Sequence, residues 1–208
     1  DQGHGSHVAG TIAGLRDGKG VVGVAPAVSL YAVKVLDAEG GGDYSTIIAG
    51  LEWCIKNKIK VANMSLGASE GTEALHEVVK KAKAAGMVIM AAAGNDSGGP
   101  VSYPAAYPET IAITASNNKD KFAYFSSKGP EVDFIAPGQD VKSVQMGGGY
   151  VSQSGTSMAT PHMTGLGALA VAAGAKGFTG VFNALKAAAS PLPGRTADQQ
   201  GNGLVDAA

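Results

Sequence analysis

Two residues near opposite ends of the chain have the chemistry of a nucleophile and its base. Ser157 lies in the segment GTSMATPH (residues 155–162), and His4 lies in HGSH (residues 4–7). A serine hydroxyl is a weak nucleophile at neutral pH because it must lose its proton as it attacks, and imidazole is the side chain best suited to accept that proton. This pair predicts acyl-transfer chemistry with Ser157 as nucleophile and His4 as general base.

Acyl transfer also places negative charge on a carbonyl oxygen, which fixed hydrogen-bond donors must stabilise. Asn95 follows an apolar run in the segment AAAGND (residues 91–96), where a buried strand would deliver its amide to a sheet edge. The N–H of Ser157 is a second donor if Ser157 opens a helix, because the first N–H groups of a helix have no intrahelical partner and attract an anion. These residues predict an oxyanion site.

Composition narrows the classes of protein to which the chain can belong. Its 208 residues fit one sizeable α/β domain over residues 1–208. Charged residues make up 16%, below the roughly 25% of typical domains, and there are 31 glycines, which indicates a compact fold with close backbone contacts. The net charge of −1 gives no reason to expect nucleic acid or an anionic membrane as a partner. No apolar run reaches about 18 residues, so no membrane span is expected.

Cys54 is the only cysteine, so no disulfide can form within the chain. It lies in a helical pattern with no motif around it, and we interpret it as a small buried core residue.

Hydrophobic periodicity alternates between helix and strand along the chain. Helical spacing predicts helices at residues 4–15, 44–58, 72–85, 156–173 and 179–189. Apolar runs predict strands at residues 28–36, 60–66, 87–93, 110–115 and 132–136, with short β segments near 141–153.

Strands that are apolar throughout and separated by helices favour an α/β fold, with a doubly wound, mostly parallel sheet covered by helices on both faces. Such folds place ligand sites at the carboxyl ends of strands. Asn95, residues 40–42 and residues 65–67 each follow a predicted strand. They are therefore expected at one edge of the sheet.

From His4 almost to its end, the chain resembles the subtilisin family of serine proteases. The resemblance rests on motifs in the family's order, namely HGSHVAGT (4–11), GVAP (23–26), YAVKVL (31–36), NMSLG (63–67), AAGN (92–95), FSS (125–127), APG (136–138) and GTSMATPH (155–162). The last motif is not the Gly-x-Ser-x-Gly elbow of α/β-hydrolases, because Ala159 replaces the second glycine. The resemblance implies a serine endopeptidase of broad specificity that prefers large or apolar side chains and works through an acyl-enzyme.

The family's functional roles transfer to matching positions. The resemblance makes His4 the base, Ser157 the nucleophile and Asn95 the oxyanion donor, with Thr156 as a minor contributor. Substrate would lie as an extra strand between two protein segments. The implied substrate-binding residues are Leu36, Gly40, Gly41, Gly42, Tyr44, Ile47, Ser65, Leu66, Gly67, Ala92, Gly94 and Asp96.

Two positions depart from the family pattern. Ser6 stands where the family usually has threonine, which keeps the hydroxyl. The triad's acid normally follows the first strand, upstream of the histidine, and no residue of this sequence precedes Asp1. Asp1 itself is better placed to cap the helix at His4 than to orient its ring. We therefore expect a domain that lacks the family's N-terminal segment with its first strand, and a chain that is weakly active or inactive alone.

The glycine-rich segment GKGVVG (18–23) matches a dinucleotide-binding pattern, but it precedes a predicted strand instead of opening a helix, which argues against a nucleotide. In the family this loop binds calcium. Carbonyls of Leu15, Lys19 and Val21 and the side chain of Asp17 would supply oxygen ligands, which suit a hard cation. We expect structural calcium, completed by ligands outside this sequence, and no organic cofactor.

The other histidines give no metal site, because no motif places a third ligand beside His4 and His7. We interpret His7 and His162 as structural residues.

The family also implies partners and a compartment. The expected partners are a protein or peptide substrate, a propeptide and the chain's own N-terminal segment, and we expect a monomer. Secretion is the usual destination in the family, although intracellular members exist. The alternative is a non-catalytic subtilase-like scaffold or binding protein. The intact His4, Asn95 and Ser157 favour the enzyme.

Overall fold

A computed structural model describes residues 2–206 of the chain. Its main sheet has six strands in the order β1-β2-β3-β4-β8-β7, and all pairs are parallel except β7 with β8. The strands are β1 (Val61–Met64), β2 (Val88–Ala92), β3 (Ile111–Ser116), β4 (Val132–Pro137), β7 (Ala189–Ser190) and β8 (Leu204–Val205). An antiparallel hairpin lies apart from this sheet and consists of β5 (Val141–Val144) and β6 (Tyr150–Gln153).

Five longer helices agree with the sequence-based ones within a few residues. The helices are α1 (His4–Ala13), α2 (Tyr44–Lys56), α3 (Glu73–Ala84), α4 (Thr156–Ala172), α5 (Gly177–Ala187) and the short α6 (Ala197–Gln200). Within residues 2–206 no single helix is long and apolar enough to cross a bilayer, although α4 and α5 together reach that length across a 108° bend.

The sheet is covered by helices on both faces, as the fold class requires. Successive residues of β2 point to opposite faces: Ile89 packs with α2 and α3, whereas Met90 packs with α4 and α5. Every residue of β2 is buried, so both faces must be apolar. The predicted α/β class is confirmed.

The predicted strand at residues 28–36 is wrong, because this segment forms no strand in the structure. A strand needs a neighbour for its backbone groups. Here a cavity of about 1040 Å³ is lined by this segment on one side and by β1 on the other, and β1 is the edge of the main sheet. The apolar pattern has another cause, since Val33 and Val35 pack against the core around α2.

The end of the chain holds elements that its sequence pattern did not predict, namely β7, α6 and β8. These elements are too short for the spacing of their apolar residues to indicate a helix or a strand. The proposed capping role of Asp1 lies outside the described residues, and within them the residue before α1 is Gly3.

Glycines in α4 allow the helix to approach the rest of the protein closely. A Cβ at Gly165 would lie 2.6 Å from the Cβ of Val24, and one at Gly167 would lie 2.7 Å from the Cε of Met90. Larger side chains would therefore push α4 away from the sheet. The two glycines therefore help to set the position of α4, including that of Thr156 and Ser157 in its first turn.

Asp133 occupies an irregularity between β3 and β4. Val132 pairs with Ala112 and Phe134 with Ile113, so Asp133 has no opposite residue. Its Oδ2 accepts the N–H of Ala112 at 2.9 Å. Burial raises the pKa of the Asp133 carboxyl to about 6, against the opposing effects of the Ala112 hydrogen bond and Lys83.

Replacing this carboxyl tests the physical reason for its raised pKa. The folded pKa of Asp133 exceeds the unfolded value of 3.8. The favourable contribution of this carboxyl to the free energy of unfolding is therefore present below pH 3.8 and is lost as pH rises through about 6. Asp133→Asn keeps an acceptor but cannot ionise. We expect it to be more stable than the parent at pH 7 by an amount on the order of 2–3 kcal/mol, and no more stable near pH 4. Urea unfolding at both pH values measures this, and equal stability at pH 7 would contradict it.

Candidate active site

The N-terminus of α4 lies where three strands of the main sheet end. Ser65 follows β1, Asn95 follows β2 and Gly138 follows β4. The N–H of Gly155, the residue before α4, donates to the Gly138 carbonyl at 2.8 Å. Ser157 is thereby held in the first turn of α4, where N–H groups have no intrahelical partner.

Asn95 is oriented by Thr156. Its Oδ1 accepts the Thr156 N–H at 2.9 Å and the Thr156 hydroxyl at 3.1 Å. The Thr156 hydroxyl in turn accepts the Gly94 N–H at 3.2 Å. Since Oδ1 takes both donors, the NH₂ group of Asn95 is the side of the amide that remains for another acceptor. Both Thr156 donors are engaged with Asn95, so Thr156 acts in this structure by holding that amide.

A chain of hydrogen bonds joins the end of β1 to α4. The Ser157 hydroxyl lies 3.4 Å from the Ser65 carbonyl, and the Ser65 hydroxyl donates to the Ser157 carbonyl at 2.8 Å. Asn63 Nδ2 donates to the Ser65 hydroxyl at 2.9 Å, and the Thr164 hydroxyl donates to Asn63 Oδ1 at 2.9 Å. These hydrogen bonds connect Ser157, the end of β1 and α4.

A small cavity of about 150 Å³ lies beside Ser157. Its lining consists of Leu66, Gly67, Ala92, Gly94, Asn95, Ser102, Thr156 and Ser157. Sequence reasoning missed Ser102, since only the fold brings this loop residue there. Ser102 lies close to both glycines: a Cβ at Gly94 would be 2.4 Å from its hydroxyl, and one at Gly67 would be 3.1 Å from its Cβ. Larger residues at positions 67 and 94 would therefore crowd Ser102.

The cavity of about 1040 Å³ contains His4 and most of the other predicted substrate residues. It is lined by His4, Leu36, Gly40, Gly41, Gly42, Tyr44, Ile47, Ser65, Leu66 and Gly67, among others. Leu66 and Gly67 also line the small cavity, so the two spaces adjoin. The Tyr44 hydroxyl donates to the Glu70 carbonyl and links α2 to the loop after β1. The structure thus brings these residues together around one cleft.

His4 is the first residue of α1 and is half-buried. Burial lowers the pKa of its imidazole, and the nearby His7 lowers it further. The ring is therefore neutral at pH 7, as a proton acceptor must be. Within residues 2–206 we find no carboxylate that accepts a hydrogen bond from it.

Asp96 lines neither cavity, unlike the other predicted substrate residues. A Cβ at Gly99 would lie 2.2 Å from Asp96 Oδ2, which shows that this carboxylate lies over its own loop. It offers no charge to the side-chain pocket in this structure.

The atoms predicted to bind calcium, namely the carbonyls of Leu15, Lys19 and Val21 and the side chain of Asp17, are all oxygens, which suit a hard cation. Asp17 Oδ1 accepts the Lys19 N–H at 3.0 Å, and Leu15 is 68% exposed. No group of three or more Asp, Glu, His or Cys side chains suited to a metal occurs among the described residues. The loop fits calcium only with ligands added to those of residues 15–21.

The Thr164–Asn63 hydrogen bond can be tested by substitution. Thr164→Val keeps the shape of the side chain but leaves the oxygen of Asn63 without its donor, which costs about 1–2 kcal/mol when the group is shielded from water. We expect that loss in urea unfolding, with Thr46→Val on the exposed surface of α2 as the matched control. Equal free energies of unfolding for the two variants would show that the Thr164–Asn63 hydrogen bond does not stabilise the fold.

Comparison with known proteins identifies the family. The model of the subtilase family matches residues 1–191. Subtilisin E from Bacillus subtilis is 55% identical over 170 residues, which are 80% of this chain and 45% of the relative. Thermostable alkaline protease from Halalkalibacterium halodurans is 48% identical over 169 residues, 81% of this chain and 47% of the relative. Minor extracellular protease Epr from Bacillus subtilis is 45% identical over 170 residues, 81% of this chain and 26% of the relative.

The chain spans less than half the length of these three relatives. The family model, by contrast, covers most of the chain, and it includes the segments that carry His4, Asn95 and Ser157. The chain therefore belongs to the subtilase family.

Proposed function

We propose that this chain carries the catalytic centre of a serine endopeptidase. The observation that carries the proposal is the placement of Ser157 in the first turn of α4, beside an Asn95 amide whose oxygen is occupied by Thr156. That arrangement provides a nucleophile next to two donors, the Asn95 NH₂ and the Ser157 N–H. Both suit an oxygen that becomes negative during acyl transfer.

The reaction proceeds through an acyl-enzyme. His4 accepts the Ser157 hydroxyl proton as Oγ bonds to the peptide carbonyl carbon, and the two donors stabilise the oxyanion. His4 then gives this proton to the departing amine as the C–N bond breaks. In the second half, His4 accepts a proton from water as the water oxygen bonds to the acyl carbon. His4 then gives this proton to Ser157 Oγ as the ester bond breaks, which releases the acid product and restores Ser157.

Substrate binds as an extended strand between residues 40–42 and 65–67, by backbone pairing that tolerates many sequences. Side chains enter the small cavity beside Ser157 and the larger one lined by Leu36, Tyr44 and Ile47, whose apolar surfaces favour large or apolar groups. Protein or peptide is the substrate class, and neither nucleic acid nor a membrane is a partner.

A carboxylate that orients His4 comes from a segment outside residues 2–206. The support is that His4 has no carboxylate acceptor among the described residues, while the large cavity beside it runs along the unpaired edge of β1. An extended segment seated there would complete the sheet and end beside His4. The chain's own N-terminal segment is the proposed source.

The remaining family properties belong to the same proposal. They are a propeptide, a monomeric state, secretion of the mature enzyme and structural calcium held in part by Leu15, Asp17, Lys19 and Val21. The name of the extracellular protease from Bacillus subtilis supports secretion. The oxygen atoms that these four residues offer support calcium.

Active-site labelling distinguishes the enzyme from a non-catalytic scaffold. A fluorophosphonate probe should label Ser157 slowly, and His4→Ala should abolish the labelling because no base then removes the proton. Asn95→Leu, which keeps the size but loses the donor, should slow it by about 10² or more. Mass spectrometry locates the adduct, and Ser154→Ala serves as a control on the same segment. No labelling of Ser157, or equal labelling of the parent and the His4→Ala variant, would favour a non-catalytic scaffold.

Peptidase turnover tests the proposed external carboxylate. In subtilisin, removing the triad aspartate alone lowers kcat by about 3 × 10⁴. We expect the 208-residue chain to hydrolyse unfolded casein at least about 10⁴-fold more slowly than Subtilisin E assayed beside it. Turnover within tenfold of that enzyme would mean that His4 needs no further carboxylate.

A further inference from the structure

A closed turn at residues 37–41 leads into the glycine segment that lines the large cavity. The N–H of Asp37 donates to the Gly41 carbonyl at 2.7 Å, and the N–H of Gly40 donates to the Asp37 carbonyl at 3.3 Å. Asp37 Oδ1 also accepts the N–H of Glu39 at 3.0 Å and that of Gly41 at 2.8 Å. One carboxylate oxygen therefore takes two backbone donors and sets the shape of the turn.

The same turn occurs a second time in the chain, at residues 117–121. Asn117 donates its N–H to the Lys121 carbonyl at 2.8 Å, and its own carbonyl accepts the Asp120 N–H at 3.1 Å. Asn117 Oδ1 accepts the N–H groups of Lys119 and Lys121 at 2.9 and 3.1 Å. All four hydrogen bonds of the first turn are thus repeated with an amide in place of the carboxylate. The turn requires a side-chain oxygen at its first residue, and either group supplies one.

The two turns differ in what lies beside them. Residues 117–121 line neither cavity, whereas residues 40–42 line the large one. Both backbone groups of Gly41 are engaged within the turn. Within residues 2–206, by contrast, nothing hydrogen-bonds to the N–H or the carbonyl of the exposed Gly42. An extended peptide pairs with open backbone groups of this kind.

The three glycines at residues 40–42 do not hold this edge in place by themselves, because glycine has little conformational preference. Gly40 has a φ of 87°, in the left-handed region that other residues rarely adopt. A flexible segment must be ordered when its ligand binds, and this ordering weakens binding. The hydrogen bonds of Asp37 order the segment before a ligand arrives.

Gln2 fixes where the turn lies relative to His4. Its Nε2 donates to the Glu39 carbonyl at 2.9 Å, although the two residues are 37 positions apart. A Cβ at Gly40 would lie 2.2 Å from that nitrogen, so a side chain at position 40 would displace Gln2. Gln2 stands two residues before His4, and both line the large cavity. The hydrogen bond therefore links the segment that begins α1 to the turn.

We propose that Asp37 and Gln2 are positioning residues for peptide binding. Asp37 sets the shape of the segment that ends in the open backbone of Gly42, and Gln2 sets the place of that segment beside His4. The inference rests on the proposed function, because it concerns the segment at which an extended substrate binds. Neither side chain takes part in the attack by Ser157, so the loss of either weakens substrate pairing and leaves the attack itself intact.

Two probes of Ser157 separate substrate pairing from the reaction. A fluorophosphonate carries no peptide, whereas the tetrapeptide Phe-Ala-Ala-Phe with a diphenyl phosphonate in place of its carboxyl group extends along the cleft. Asp37→Ala should lower the labelling rate of the peptide phosphonate by about fivefold or more, and should change that of the fluorophosphonate by less than about twofold. Gln2→Met, which keeps the length of the side chain but has no donor, should lower the ratio of the two rates in the same direction.

Two further variants distinguish positioning from a general loss of structure. Asp37→Asn keeps an oxygen for both donors, as Asn117 does in the second turn, and should keep the peptide rate within about twofold of the parent. Asn117→Ala removes the same hydrogen bonds outside both cavities and should leave the ratio of the two rates unchanged. If Asp37→Ala slowed both probes equally, or if Asn117→Ala changed the ratio as much, the proposal would be overturned.

Peptide affinity provides a readout that needs no reaction. In a Ser157→Ala background, fluorescence anisotropy measures the dissociation constant of fluorescein-labelled Phe-Ala-Ala-Phe. Asp37→Ala should raise that constant by about fivefold, and Asn117→Ala should leave it unchanged. This pattern together with an unreactive Ser157 in the parent would refute the proposed reaction alone. No measurable peptide binding, or an unchanged constant in Asp37→Ala, would refute the positioning role.

Discussion

The first turn of α4 is held by hydrogen bonds from loops that follow two neighbouring parallel strands. Asn95 after β2 accepts two donors of Thr156, and Ser65 after β1 exchanges hydrogen bonds with Ser157. The two loops could not both reach the helix if the strands ran in opposite directions, since their carboxyl ends would then lie at different edges. Parallel pairing of β1 with β2 is thus the condition on which the position of Ser157 depends.

The same contacts explain how a neutral amide becomes a directed donor. An asparagine side chain has one acceptor and one donor end, and either can face a cleft. Thr156 occupies the acceptor end with two hydrogen bonds, and its own hydroxyl is held by the Gly94 N–H. The donor end is preorganised without any charged residue. This is the kind of fixed dipole that stabilises developing charge more effectively than water does.

His4 is positioned by a different set of forces from Ser157. Its helix packs on β5 and α4 through His7, Ser143 and the apolar side chains of α1 and α4, and Gly10 permits the close approach. His4 and Ser157 thus lie on different helices, which meet where Met158 of α4 packs against Val8 and Ile12 of α1. The Asn95–Thr156–Ser157 unit, by contrast, is hydrogen-bonded to the loops that follow β1 and β2.

Much of the fold follows from local sequence patterns. The features that these patterns did not predict have physical reasons. The central strands and the long helices have apolar periods of sufficient length, and Thr72 caps α3 as its side chain suggests. Residues 28–36 have a strand's composition but no neighbouring strand, and pairing is a property of two segments. His4, Asn95 and Ser157 were recognisable because motifs surround them. Ser102, the orienting role of Thr156 and the hydrogen bond that Asp133 makes in the β3–β4 irregularity depend on contacts between distant segments, which no local pattern encodes.

The central claim is that Asn95 and the Ser157 N–H point at the oxygen of a group bonded to Ser157. A crystal structure of the chain after reaction with a phosphonate probe tests it directly. The phosphonyl oxygen should lie about 2.7–3.1 Å from Asn95 Nδ2 and from the Ser157 nitrogen. An adduct on Ser157 whose oxygens all point to solvent, with Asn95 turned away, would contradict an oxyanion role for Asn95.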